Sequence, residues 1–124
     1  MLLTPRPGEN AIEKMQGTYE FLASNRILFL YGHIMGIPDR VDTFSVQNIS
    51  DTMLAMDLQK KAPIWLVIQS GGGRVDEGLG LIDTMNFINS PVYTISRNVA
   101  SMATVISSSG EKGHRYVFPH SKLM

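Results

Sequence analysis

Cysteine is absent from the 124 residues, so a disulfide scaffold, a thiol nucleophile and thiolate-bound zinc are all excluded. Any nucleophile must carry oxygen. Net charge is absent as well: 11 Lys and Arg balance 11 Asp and Glu, and no field draws the chain toward nucleic acid or an anionic membrane surface. No apolar run approaches the roughly 20 residues that span a bilayer. The start, Met1 to Asn10, has neither a hydrophobic signal core nor an Arg-rich amphipathic pattern, so the expectation is a soluble, cytoplasmic protein without a membrane partner. Histidine is scarce, with only His33, His114 and His120 and no matching carboxylate spacing, which implies no metal. What is plentiful is apolar side chain, 44% of the residues, enough for one buried core.

The pattern of that apolar content alternates between two kinds of run. Residues 1–25 read as an arm with a short helix near Thr18 to Ala23, because Pro5, Pro7 and Gly8 break the opening stretch. Arg26 to Tyr31 is a continuous apolar run stopped by Gly32, as expected of a strand covered on both faces. After a turn at Gly36-Ile37-Pro38-Asp39, Val41 to Leu58 has helical spacing. Ile64 to Ile68 is a second buried strand, and it runs into Gly71-Gly72-Gly73. Val75, Leu79, Ile82 and Met85 then predict one apolar face of a helix that ends before Pro91. Val92 to Ser96 and Arg115 to Phe118 are further strands, separated by a small-residue helix from Ala100 to Ser109 closed by Gly110. Repeated strand-turn-helix units imply an α/β fold with right-handed crossovers and a mostly parallel sheet.

In such folds the carboxyl ends of the strands form the functional edge. Two junctions there carry chemistry. Gly71, Gly72 and Gly73 can turn sharply and present bare N–H groups to an anion. Neither nucleotide pattern fits, since Asp76 stands where a dinucleotide fingerprint needs its third Gly and Leu79 where a P-loop needs Lys. A plain tight turn is the simpler reading of an isolated Gly run. At the second junction Ser101 opens a helix after a buried strand, a place that suits an N-cap as well as a nucleophile. Val99 and Ala103 occupy the glycine positions of G-x-S-x-G, which argues against an α/β-hydrolase elbow. The helix start nevertheless supplies N–H donors beside whatever Ser101 attacks.

Taken together and in order, these motifs resemble the Clp protease proteolytic subunit. Ser70-Gly71-Gly72-Gly73-Arg74-Val75 is similar to that family's Ser-Pro-Gly-Gly-x-Val turn, and Gly78-Leu79 with Asp83-Thr84-Met85 to the helix after it. Ala100-Ser101-Met102 resembles the Ala-Ser-Met around its nucleophile. Gly110, Gly113-x-Arg115-Tyr116, Pro119 and Ser121-x-x-Met124 resemble the stretch beyond, and Arg26-Ile27-x-Phe29-Leu30-x-Gly32 its first core strand. The likeness covers residues 26–124, taken as one domain of the ClpP/crotonase fold whose carboxyl-terminal part is expected to be missing.

By that resemblance Ser101 is the catalytic nucleophile of a serine endopeptidase. The N–H groups of Gly73 and Met102 form the oxyanion hole, and Gly71, Gly72 and Arg74 lie along the substrate backbone. Arg74 stands where a small or apolar residue is usual. The family's His comes almost directly after Ser-x-x-Met and its Asp later, so neither is expected within these residues, and this chain alone is expected to be nearly inert. The resemblance further implies unfolded peptide substrates, a partner AAA+ unfoldase, a homo-oligomeric seven-membered ring and no cofactor. Two other readings remain open on the residues alone: a non-catalytic ring subunit, and a crotonase-type acyl-CoA enzyme, which also uses paired backbone N–H donors.

Overall fold

The computed structural model describes residues 11–35 and 45–124, with side chains of the first helix described from residue 17. The expected arm at Thr4 to Asn10, the turn at Gly36 to Asp39 and residues 41–44 lie outside the described residues. The elements are α1 (Ala11–Ser24), β1 (Ile27–Tyr31), α2 (Val46–Gln59), β2 (Ile64–Ser70), α3 (Val75–Phe87), β3 (Val92–Val99), α4 (Met102–Ser108) and β4 (Arg115–Val117).

Local chemistry sets several of these boundaries. Ser45 caps α2, its hydroxyl accepting the Asn48 N–H at 3.0 Å. Pro63 and Pro91 sit immediately before β2 and β3, where a missing N–H costs the ladder nothing. Gly110 ends the α4 unit at a point where a Cβ would lie 2.7 Å from the Thr94 hydroxyl oxygen.

The four strands pair in the order β1-β2-β3-β4, all parallel. Each crossover moves one place in the same direction, so right-handed connections stack α2, α3 and α4 on one face, and these helices pack in succession. The core lies between. Leu30, Leu66 and Ile68 from the sheet meet Met53, Leu81 and Ile106 from the helices, all completely buried. The other face is aromatic and half-covered, with Trp65 edge-on to Tyr93 at 5.0 Å and Tyr19 of α1 edge-on to Phe29 at 5.1 Å.

Three sequence expectations need correction. Strand β1 is not covered on both faces: Leu28 and Leu30 are buried while Ile27, Phe29 and Tyr31 are half-exposed, because only α1 reaches their side. Helix α1 is longer than the Thr18 to Ala23 segment and runs through Gly17. On α3 the buried face is Gly78, Leu81 and Met85, whereas Val75 and Leu79 are exposed. Apolar spacing misplaces that face because its central contact is made by a glycine.

Candidate active site

Strands β2 and β3 are neighbours, so their carboxyl ends bring the glycine turn and Ser101 to one place. The register slips just before the edge: Ile68 pairs with Ser96 but Ser70 with Val99, which leaves one extra residue in β3. Such a bulge bends a strand and re-aims the residues after it. The Ala100 N–H then donates to the Ser70 carbonyl at 3.1 Å, tying the two junctions together.

Within the turn, Gly72 and Gly73 both have positive φ, 106° and 154°. A Cβ at Gly72 would stand 2.7 Å from the Ser101 Cβ and 3.1 Å from its Oγ, and one at Gly73 would stand 2.5 Å from the Ile34 carbonyl oxygen. Glycine is required at both positions by contact as well as by dihedral angle. Gly73 bridges Ile34 in parallel fashion: the Ile34 N–H donates to the Gly72 carbonyl at 3.0 Å and the Arg74 N–H to the Ile34 carbonyl at 3.1 Å. In a parallel ladder the bridged residue turns its own groups away from the partner, so the N–H and C=O of Gly73 face the open side.

Ser101 has φ 55° and ψ −130°, which a non-glycine residue rarely adopts. It stands at the N-cap position of α4, but its side chain makes no capping bond. Its hydroxyl makes no hydrogen bond among the described residues, and the residue is exposed. The strained, sharp strand-to-helix turn thus holds the hydroxyl outward without the glycines of a G-x-S-x-G pattern. Ala100 and the fully buried Ala103 provide the necessary small neighbours.

Met102 comes next, its side chain buried against α3. A Cβ at Gly78 would approach the Met102 Cγ to 2.4 Å, so Gly78 is the seat that draws the start of α4 onto α3. Among the described residues neither the Gly73 nor the Met102 amide donates to a backbone partner outside the regular elements. The N–H groups of Gly73 and Met102 and the Ser101 hydroxyl are thus unclaimed at this edge among the described residues. The Ser101 N–H donates to the Met124 carbonyl at 3.2 Å, and Thr104 Oγ1 donates to the same oxygen at 2.7 Å.

The remaining candidates fall around this centre with different parts to play. Gly71 is exposed with open space about it. Gly72 has both backbone groups engaged, by Ser70 Oγ and Ile34 N–H, so its contribution is the side chain it lacks. Arg74 is paired in two-pronged fashion with Asp76, Nε to Oδ1 at 3.2 Å and Nη2 to Oδ2 at 2.9 Å. The hydrogen bonds from Arg74 hold the Asp76 carboxyl below the usual carboxylate range. Among the histidines, His114 is stacked on Tyr93 at 4.0 Å with Nδ1 3.1 Å from the Tyr116 hydroxyl, and among the described residues no histidine nitrogen bonds Ser101. A cleft of about 310 Å³ opens along the edge between Gly32, Gln69, Gly71, Asn98 and Met124.

Residues to which sequence reasoning gave no part in the site are Ile34, fully buried under Gly73, together with Gly78 and Ser70. Ser70 leaves a trace in the sequence, as a hydroxyl ending an apolar run.

The family model for Clp protease matches residues 10–124. The chain belongs to the Clp protease family. It is 38% identical over 114 residues to the ATP-dependent Clp protease proteolytic subunit of Streptococcus mutans, covering 90% of this chain and 55% of that protein. The corresponding subunit of Streptococcus agalactiae is 37% identical over the same length. Among solved structures, the ClpP protease catalytic domain from Plasmodium falciparum superposes with a TM-score of 0.78 at 34% identity, covering 88% of this chain and 59% of that one. The chain spans about half the length of the relatives it matches. The parallel α/β architecture is that of the ClpP catalytic domain, as the ordered motifs implied.

Proposed function

We propose that this chain carries the nucleophile and the oxyanion-stabilising half of a Clp-type serine peptidase. The observation that carries the reading is Ser101, held at φ 55° with an unbonded, exposed hydroxyl. Strain of this kind costs about 1–3 kcal/mol and is retained where function needs the side chain aimed outward. In the proposed reaction Ser101 Oγ attacks the peptide carbonyl, and the developing oxyanion is met by the N–H groups of Gly73 and Met102. The open backbone edge of Gly73 lets an extended peptide add as a further strand, with Gly71 unobstructed beside it.

The Ser101 proton needs a base, and none of the described residues provides one. In the family pattern a histidine follows Ser-x-x-Met, and the bond from the Ser101 N–H to the carbonyl of Met124, the last residue of that motif, supports a base delivered from this side. We assign unfolded peptides as substrates, an AAA+ unfoldase as partner, a seven-membered ring as assembly and the cytoplasm as location. The exposed apolar side chains Leu58, Val75 and Phe87 suit subunit contacts of that assembly. No helix among the described residues is long and apolar enough to cross a membrane.

A crotonase-type reading also uses two amide donors but gives Ser101 no task, and the strained serine favours the peptidase. The test is intact mass before and after a fluorophosphonate probe. One adduct on the full-length protein that maps to Ser101 and disappears in Ser101→Ala supports the reading; an unlabelled Ser101 in the folded full-length protein removes it.

A further inference from the structure

We propose that Ser70 is a positioning residue: its hydroxyl ties up the Gly72 amide and thereby sets the outward direction of the Gly73 amide next to it. A run of three glycines with no proline among them has little stiffness of its own. Something outside the run must set which N–H points outward. Ser70 is 5% exposed and closes β2 directly before the turn. Its Oγ donates to the Gly32 carbonyl at 2.5 Å and accepts the Gly72 N–H at 3.1 Å. The Gly72 carbonyl lies farther from this hydroxyl, at 3.5 Å, and is taken by the Ile34 N–H. The Ser70 carbonyl accepts the Ala100 N–H at 3.1 Å. One small buried residue therefore joins the loop after β1, the glycine turn and the segment leading into Ser101.

The consequence is a matter of elimination along the turn. The Gly72 N–H is consumed by Ser70 and the Arg74 N–H by Ile34. Gly73 lies between them with its own N–H unclaimed. Without the hydroxyl the buried Gly72 N–H has no acceptor and must turn toward another, and the flexible glycines on either side allow the rotation. The outward direction of the Gly73 amide is lost with it. The inference rests on the peptidase reading for the identity of the bound oxyanion; the direction of the amide is a property of the turn itself.

Amide hydrogen exchange in the full-length ¹⁵N-labelled protein, read at Gly72 and Gly73, tests the clamp without reference to activity. In the wild type Gly72 is expected to be protected and Gly73 not; the reverse order overturns the proposal even if no variant folds. In Ser70→Ala, Gly72 exchange is expected to rise about tenfold, the factor that corresponds to one net hydrogen bond. Fluorophosphonate labelling of Ser101 is expected to slow by about 10- to 100-fold, below the full loss of an oxyanion donor, with peptide KM little changed. Ser70→Thr, which keeps the hydroxyl, should restore both. Unchanged Gly72 exchange in Ser70→Ala, or raised exchange with an unchanged labelling rate, overturns the proposal. A wild type that does not label at all removes the peptidase reading instead, and the clamp then stands or falls on Gly72 exchange alone.

Discussion

Among the described residues two outside the glycines have positive φ, Arg26 at 65° and Ser101 at 55°, and they lie at opposite ends of the sheet. At the amino-terminal end Arg26 comes after α1 and leads into β1, and its side chain secures its own strained backbone. The guanidinium donates to the carbonyls of Met56 at 2.9 Å, Ala62 at 2.6 Å and Pro63 at 3.2 Å, and to Ser90 Oγ at 3.2 Å. Ser90 in turn donates through Oγ and N–H to the buried carboxylate of Asp57, at 2.8 Å and 2.9 Å, and Lys61 reaches the other oxygen at 2.9 Å. At the carboxyl-terminal end Ser101 has no side-chain bond, and its strain is maintained by neighbours: Gly72 close against it, Met102 seated on Gly78, and Met124 across its N–H. Strain satisfied by the residue's own side chain builds a boundary between elements. Strain imposed from outside leaves the hydroxyl unbonded.

The comparison breaks most decisively at Ser101. In the full-length protein Ser101→Ala should lower kcat by on the order of 10⁴ to 10⁶, measured on a fluorogenic peptide. Ser101→Gly should be equally inactive yet more stable by about 1 kcal/mol, because glycine adopts the same dihedral angles without strain; calorimetry reads this as a raised Tm. Arg26→Ala should do the reverse. It strands the carbonyls of Ala62 and Pro63 and should lower stability by about 2–3 kcal/mol in denaturant melts, while the labelling rate of folded Ser101 stays the same.

A smaller effect belongs to Asp57, whose carboxyl is held well below the usual range by the Lys61 hydrogen bond first, then by Ser90. A folded-state pKa below the unfolded value of about 4 means that its stabilising contribution is complete above that pH. The contribution fades as pH falls from there toward the folded value. Tm measured at pH 7 and pH 3 should therefore drop more in the wild type than in Asp57→Asn. The smallest effect is expected for Arg74→Ala, which removes an exposed ion pair and should leave Tm unchanged within error. A shift in preference between acidic and neutral peptides in that variant would show Arg74 acting on substrate.

Much of this arrangement is legible in the sequence because apolar runs and glycines mark it directly. The strands at Ile27, Ile64, Val92 and Arg115 arise from apolar or aromatic stretches, and the meeting of the glycine turn with Ser101 from parallel neighbours ending at one edge. Less legible is whatever depends on a residue's lack of side chain or on its dihedral angles. Gly78 is invisible to a count of apolar spacing, yet it decides which face of α3 is buried. The turn at Ser101 lacks the flanking glycines of a G-x-S-x-G pattern, whereas Ala100 and Ala103 meet the same spatial demand. Ser70 looks from its sequence like the polar end of a strand, and its clamp needs Gly32, distant in the chain, to become visible.

The strand order β1-β2-β3-β4 has a bearing on how the molecule is made. Synthesis runs from the amino end at about 5–20 residues per second, and here every emerging strand finds its partner to be the one just finished. No early strand waits for a late one to fill a gap in the sheet. The glycine turn and the serine, separated by a single helix, come together as soon as β3 docks on β2. On the proposed mechanism the nascent chain thus brings its nucleophile to the glycine turn before β4 has been made.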